Sequence, residues 1–98
     1  MNAAVSFHEA AQSELNEAAG FYNLEYHGLG ESFIGEVERG VAQACDYPES
    51  CPVIRGRARK MTIRKFPYSV IYSVVGDHVR VLAVAHHRRR PFYWQDRR

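Results

Sequence analysis

Two histidines, three consecutive arginines, a proline and three aromatic residues stand side by side in AVAHHRRRPFYWQDRR, residues 83–98. An imidazole titrates near neutrality, so His86 and His87 are candidates for the base and the acid of a metal-free phosphodiester cleavage. A guanidinium matches phosphate oxygens bidentately. Arg89 is therefore a candidate for stabilising a charged phosphorane, and Arg64, Arg88, Arg90 and Arg97 for holding a target or its phosphates. Tyr93 could assist proton transfer or stack on a base. Docking is the competing chemistry, because Phe92, Tyr93 and Trp94 interleaved with arginine resemble the composition of a protein interface. With Arg57 and Arg59 they make up the candidate partner-binding set. Structural roles compete in turn: His86 as a hydrogen-bonded histidine at a strand end, the arginine run as a solvated patch, Trp94 as a cap on a sheet core, and Arg55, Arg57 and Arg59 as solvent-facing residues ahead of a strand.

These groups need elements to hold them. Ala4 to Phe7 alternates and reads as a short strand. From Glu9 to Tyr26, Ala11, Leu15, Ala18, Ala19, Tyr22 and Tyr26 recur at helical spacing, and after the break at Gly28-Leu29-Gly30 a second stripe of Phe33, Ile34, Val37, Val41, Ala44 and Cys45 runs to Tyr47-Pro48. Gly35 and Gly40 inside the second helix each cost roughly 1 kcal/mol relative to alanine. Close helix–helix approach is one reason for them, tolerance on an exposed face the other. Residues 48–58 read as a loop. Met61 to Arg64 is then a short strand, and Tyr68 to Val75 a longer one with Tyr68, Val70, Tyr72 and Val74 on one face. Gly76-Asp77 turns the chain into a strand from His78 to Ala85, with Val79, Val81, Ala83 and Ala85 alternating against Arg80, Leu82, Val84 and His86. The expected architecture is α+β: a short N-terminal strand and an αα-hairpin packed on a mainly antiparallel sheet with a C-terminal three-stranded meander, in one domain spanning residues 1–98.

Charge is divided sharply between the halves. Residues 1–50 carry Arg39 against nine carboxylates, a balance of −8, while residues 51–98 carry twelve Lys or Arg against Asp77 and Asp96, a balance of +10. Both helices would be repelled by phosphate, so any nucleic acid has to meet the sheet and the tail. No apolar run approaches the roughly 20 residues that cross a bilayer, and the expected location is the cytoplasm, away from membranes. Cys45 and Cys51, spaced as CDYPESC, match neither a zinc knuckle nor a CxxC redox pair and are expected as thiols. Glycine-rich phosphate loops, HExxH, GxSxG and paired Cys/His sets are missing from the sequence, and neither a metal nor an organic cofactor is implied.

With the segments in order, the chain resembles the RelE/ParE superfamily of toxins from type II toxin–antitoxin modules, also called plasmid-stabilisation toxins. FHEAAQSELNEAAGFY, RKFPYSVIYSV and AVAHHRRRPFYWQDR carry the resemblance. His86, Arg89, Pro91, Tyr93, Trp94 and Arg97 stand where the ParE-like branch has AVxHxxRxPxYWxxR. The resemblance implies a growth-inhibiting protein neutralised by a cognate antitoxin, acting by inhibition of DNA gyrase. The alternative within the superfamily is a RelE-like ribosome-dependent mRNA endonuclease, for which His86, His87, Arg89 and Tyr93 are the catalytic candidates. Ser69 counts against that alternative, because RNA-cutting relatives usually place an arginine there. A third reading is a non-toxic antitoxin-binding or nucleic-acid-binding module.

Overall fold

Alanine is the residue that lets the first helix lie low on the sheet. The computed structural model describes residues 4–98, and in it α1 (Glu9–Glu25) turns Ala11, Leu15, Ala18 and Ala19 inward. Its first turn is capped by His8, whose Nδ1 accepts from the Ala10 N–H at 3.0 Å, and Glu9 places a negative charge at the positive end of the helix dipole. α2 (Leu29–Asp46) follows after a short turn and buries Phe33, Val37, Val41, Ala44 and Cys45. Asn23 of α1 caps it, its Oδ1 accepting from the Gly30 N–H at 2.8 Å. The αα-hairpin is thus tied at its joint as well as packed along its length.

β1 (Ala4–Phe7), β2 (Val53–Arg55), β3 (Ala58–Thr62), β4 (Tyr68–Val75) and β5 (His78–His86) form one sheet in the order β1-β5-β4-β3-β2. β1 runs parallel to β5, and the other three pairings are antiparallel. The helices cover one face, over Val70, Tyr72, Val79, Val81 and Val84; the other face carries Ala58, Ile71, Leu82, Ala83 and Ala85 beneath Trp94. This is the expected α+β layer of an αα-hairpin on a mainly antiparallel sheet. Its meander has one strand more than expected.

Four local expectations are corrected. Residues 48–58 are not all loop, because β2 and the start of β3 lie within them; a three-residue strand is too short to show a period. β3 accordingly begins at Ala58, three residues before the expected Met61. The alternation of β5 also breaks: Ile71 pairs with Ala83 and Tyr72 with Val81, so Leu82 is the extra residue of a bulge. Val84 therefore joins Val79 and Val81 under the helices, while Ala83 and Ala85 face the tail. The close helix–helix contact is at Gly30, where a Cβ would strike the Ala19 carbonyl oxygen; Gly40 instead approaches the sheet, 3.1 Å from a built Cβ to Met61 Sδ, and Gly35 meets nothing closer than the tip of Arg39.

Candidate functional site

The tail is held by one carboxylate from the opposite layer. β1 pairs with β5 only as far as Phe7 opposite Val81, and the His8 N–H adds a last bond to the Val81 carbonyl at 2.8 Å. Beyond that point the edge of β5 has backbone groups to satisfy. Glu14 takes the first: its Oε1 accepts from the Val84 N–H at 3.0 Å. Arg97 takes the next, Nη1 donating to the Leu82 carbonyl at 3.0 Å. The two side chains also join each other in a fork, at 2.9 and 3.0 Å, and the Tyr93 hydroxyl donates to Glu14 Oε2 at 2.8 Å. Glu14 and Arg97 side chains are 13% and 18% exposed, so their attraction is only lightly screened.

The surroundings of this knot shift the groups in it. Burial first, and then donation to Glu14, pushes the Tyr93 phenol well above its usual range. The Glu14 hydrogen bond likewise raises Arg97. Arg89 lies 3.8 Å above the Tyr93 ring centre and 3.9 Å from Glu14 Oε2. Half exposed, it contributes more as a cover for the ring than as an ion pair.

Between the tail and the helix-free face of the sheet lies a cavity of about 230 Å³. His86, His87, Arg89 and Tyr93, the four catalytic candidates, all line it, together with Arg90, Phe92 and Trp94. Ser69 stands in its wall, 1% exposed, with Oγ 3.1 Å from His87 Nε2 and 3.4 Å from Thr62 Oγ1. His86 is engaged at the strand end: Nδ1 accepts from the Arg88 N–H at 3.0 Å, and the ring stands edge-on to Tyr68. Trp94 is 5% exposed and closes the sheet core.

The remaining candidates lie elsewhere. Arg64 belongs to the turn after β3 and lines a groove with Glu36 and Arg39 of α2. Arg88 is exposed and outside the cavity, Arg57 is exposed in the β2–β3 turn, and Arg97 is committed to Glu14. Arg59 is not the solvent-facing residue expected: it is half-buried and donates to the Glu49 and Cys51 carbonyls at 3.2 and 2.6 Å. Arg55 lies 4.1 Å over the Phe92 ring and donates to Gln95 Oε1 at 2.6 Å. Phe92 holds a left-handed backbone (φ 58), a conformation uncommon outside glycine, which brings its ring over Arg55 and edge-on to Trp94.

Two residues of the site escape a reading by residue type. Glu14 has a usable signal, since it falls between Ala11 and Ala18 at steps of three and four on the buried face of α1, where an acid needs a partner. Lys60, which lines the cavity from β3, has none beyond its alternation with Arg59 and Met61. Chemically, the arrangement places two imidazoles and a hydroxyl beside Lys60, Arg89 and Arg90. It keeps the Tyr93 proton on the phenol at neutral pH and directs it at Glu14. Among the described residues no group of three or more His, Cys, Asp or Glu side chains is placed to hold a metal ion.

No curated protein sequence matches this chain significantly. A solved structure described as the chromosomal ParDE TA system from P. aeruginosa is similar in fold, with a TM-score of 0.63 and 17% identity over 86% of this chain and 95% of that one. The family model for the ParE toxin of type II toxin–antitoxin systems, parDE, matches residues 5–91, from β1 through both helices and the whole sheet to the proline that opens the aromatic tail. The chain belongs to the ParE toxin family.

Proposed function

We propose that this protein is a growth-inhibiting toxin, neutralised by a cognate antitoxin, that acts in the bacterial cytoplasm by protein–protein inhibition of DNA gyrase. The observation that carries this reading is the state of the tail's aromatic and cationic groups. Arg97 and the Tyr93 hydroxyl are bound to Glu14, and guanidinium groups lie over the rings of both Tyr93 and Phe92. Base recognition on a single strand relies on open ring faces, whereas these rings form, with their arginines, a rigid cationic surface of the sort that docks a protein. An antitoxin partner has support from the family match and from the structural neighbour, which is itself described as a ParDE TA system.

A ribosome-dependent mRNA endonuclease is the second reading, favoured by the convergence of His86, His87, Arg89 and Arg90 on one cavity. Induced expression in bacteria lacking the antitoxin, with pulse labelling of DNA and protein synthesis, separates the two. Early arrest of replication with DNA breaks is expected. Prompt arrest of translation with mRNA cut inside ribosomes would overturn the gyrase reading, and undisturbed growth would leave a non-toxic binding module.

A further inference from the structure

The cavity under the tail is built for one large side chain of a protein. We infer that it receives an aliphatic anchor from an acidic segment, whose flanking carboxylates pair with Lys60 and Arg90 on the rim. This rests on the reading of the protein as a toxin that works through protein contacts, and it names the kind of segment those contacts use.

Size, floor, charge and ring geometry support it independently. At about 230 Å³ the cavity falls below the roughly 300–1,000 Å³ usual for small-molecule sites. Its floor is apolar and buried: Ile71 lies on β4, Ala85 on β5, and Trp94 packs with them in the second core. Ala85 matters most there, because the bulge at Leu82 turns this small residue, rather than Val84, toward the tail. The short side chain leaves the space.

No carboxylate lines the cavity, while Lys60, Arg89 and Arg90 do. Lys60 and Arg90 are exposed and have no salt bridge among the described residues, in contrast to Arg89 and Arg97, which face Glu14. The two free cations therefore present an uncompensated field beside an apolar hole, the complement of an acidic segment with an apolar anchor. A nucleobase would need a ring face to lie on. Phe92 and Tyr93 each carry an arginine on the face, and Trp94 is buried against the sheet. In the wall, Ser69 Oγ and His87 Nε2 are polar atoms within reach of an entering backbone.

Trp94, the single tryptophan of the chain, lines the cavity and is a built-in reporter. The probe is the blocked peptide Ac-DELED-NH2, titrated at low salt while Trp94 emission is followed. Three controls accompany it: its amide counterpart Ac-NQLQN-NH2, its small-anchor counterpart Ac-DEAED-NH2, and a five-residue oligouridylate carrying four phosphodiesters. Saturable binding of the first peptide is expected, weakened at least ten-fold in either control peptide. Lys60→Glu with Arg90→Glu should weaken it equally, and both positions are exposed, so folding is not at stake. Ala85→Leu, which fills the floor, should abolish the spectral response while thermal melting stays cooperative.

Absence of binding to Ac-DELED-NH2 at millimolar peptide, or equal binding of the amide peptide, overturns the inference. Tighter binding of oligouridylate, lost in the same variants, makes the cavity a nucleotide site and overturns it too. Its failure is separable from that of the parent reading: replication arrest with DNA breaks but no peptide binding would leave the gyrase toxin standing and remove only this pocket assignment.

Discussion

A single carboxylate ties the two layers of this protein together. Glu14 bridges α1, the open edge of β5 and the tail, and its oxygens accept from one backbone and three side-chain donor atoms. Glu14→Gln retains an acceptor but removes the charge facing a largely buried Arg97. We expect a loss of about 2 kcal/mol in urea unfolding, below the roughly 3–5 kcal/mol that breaking a fully buried pair costs, because both groups retain some exposure. A loss within about 0.5 kcal/mol, the scale of ordinary surface substitutions, would show that the knot is decorative. Tyr93 adds a pH dependence whose sign is fixed by its environment. The folded phenol holds its proton more tightly than the usual value of 10.0, so its stabilisation is complete below about pH 10 and is lost as the pH rises through the higher folded value. The urea midpoint should therefore decline above pH 10, and decline less steeply in Tyr93→Phe. Identical alkaline profiles for the two proteins would contradict this. At this scale the reactive residue types were legible in the sequence, and their engagements were not: Tyr93 looks like a proton donor until Glu14, 79 positions away, takes the proton's direction.

Helices and strands were mostly readable because each obeys its own period. The stripe from Ala11 to Tyr22 and that from Phe33 to Cys45 mark the two helices, although α2 begins at Leu29, four residues before its stripe and inside the expected break, and the alternation of Tyr68, Val70, Tyr72 and Val74 marks β4. Failures came where a local rule was broken for a nonlocal reason. Leu82 interrupts the period of β5 because β4 leaves it unpaired, and β2 is visible only through its pairing with β3. Glycines in α2 illustrate the same limit, since three residues of identical type have three different surroundings. Gly35→Ala meets open space and should raise stability by roughly 0.5–1 kcal/mol through helix propensity alone. Gly30→Ala forces a Cβ into the Ala19 carbonyl and the Asn23 amide that caps α2. There the same substitution should cost about 2 kcal/mol or more, by overpacking and loss of the cap. Paired thermal melts of the two variants check both signs, and a stabilised Gly30→Ala would refute the proposed close approach.

The whole molecule is a sheet with a helical cover on one side and a tail on the other. No described helix is long and apolar enough to cross a membrane. Trp94 closes the second face, over Ile71, Ala83 and Ala85. Trp94→Ala should cost about 3–5 kcal/mol and expose that face to a hydrophobic dye; unchanged melting would mean the tail is an appendage. Charge belongs to this scale as well. With an acidic helical half and a basic sheet half, binding of an acidic partner should weaken between low and physiological salt, because rim charges are screened within about 10 Å at 0.1 M. Salt-independent affinity would assign the contact to apolar surface alone. The amino-acid order by itself determined every element but β2, the α+β class, the separation of charge and the family resemblance, since these rest on periodicity, composition and motifs within short windows. Only the tertiary structure decided which arginines are free and which are bound, which face the alanines of β5 line, and that Glu14 holds the tail. Those outcomes depend on strand register and on a helix crossing the sheet edge, where residues far apart in the chain first come within hydrogen-bonding distance.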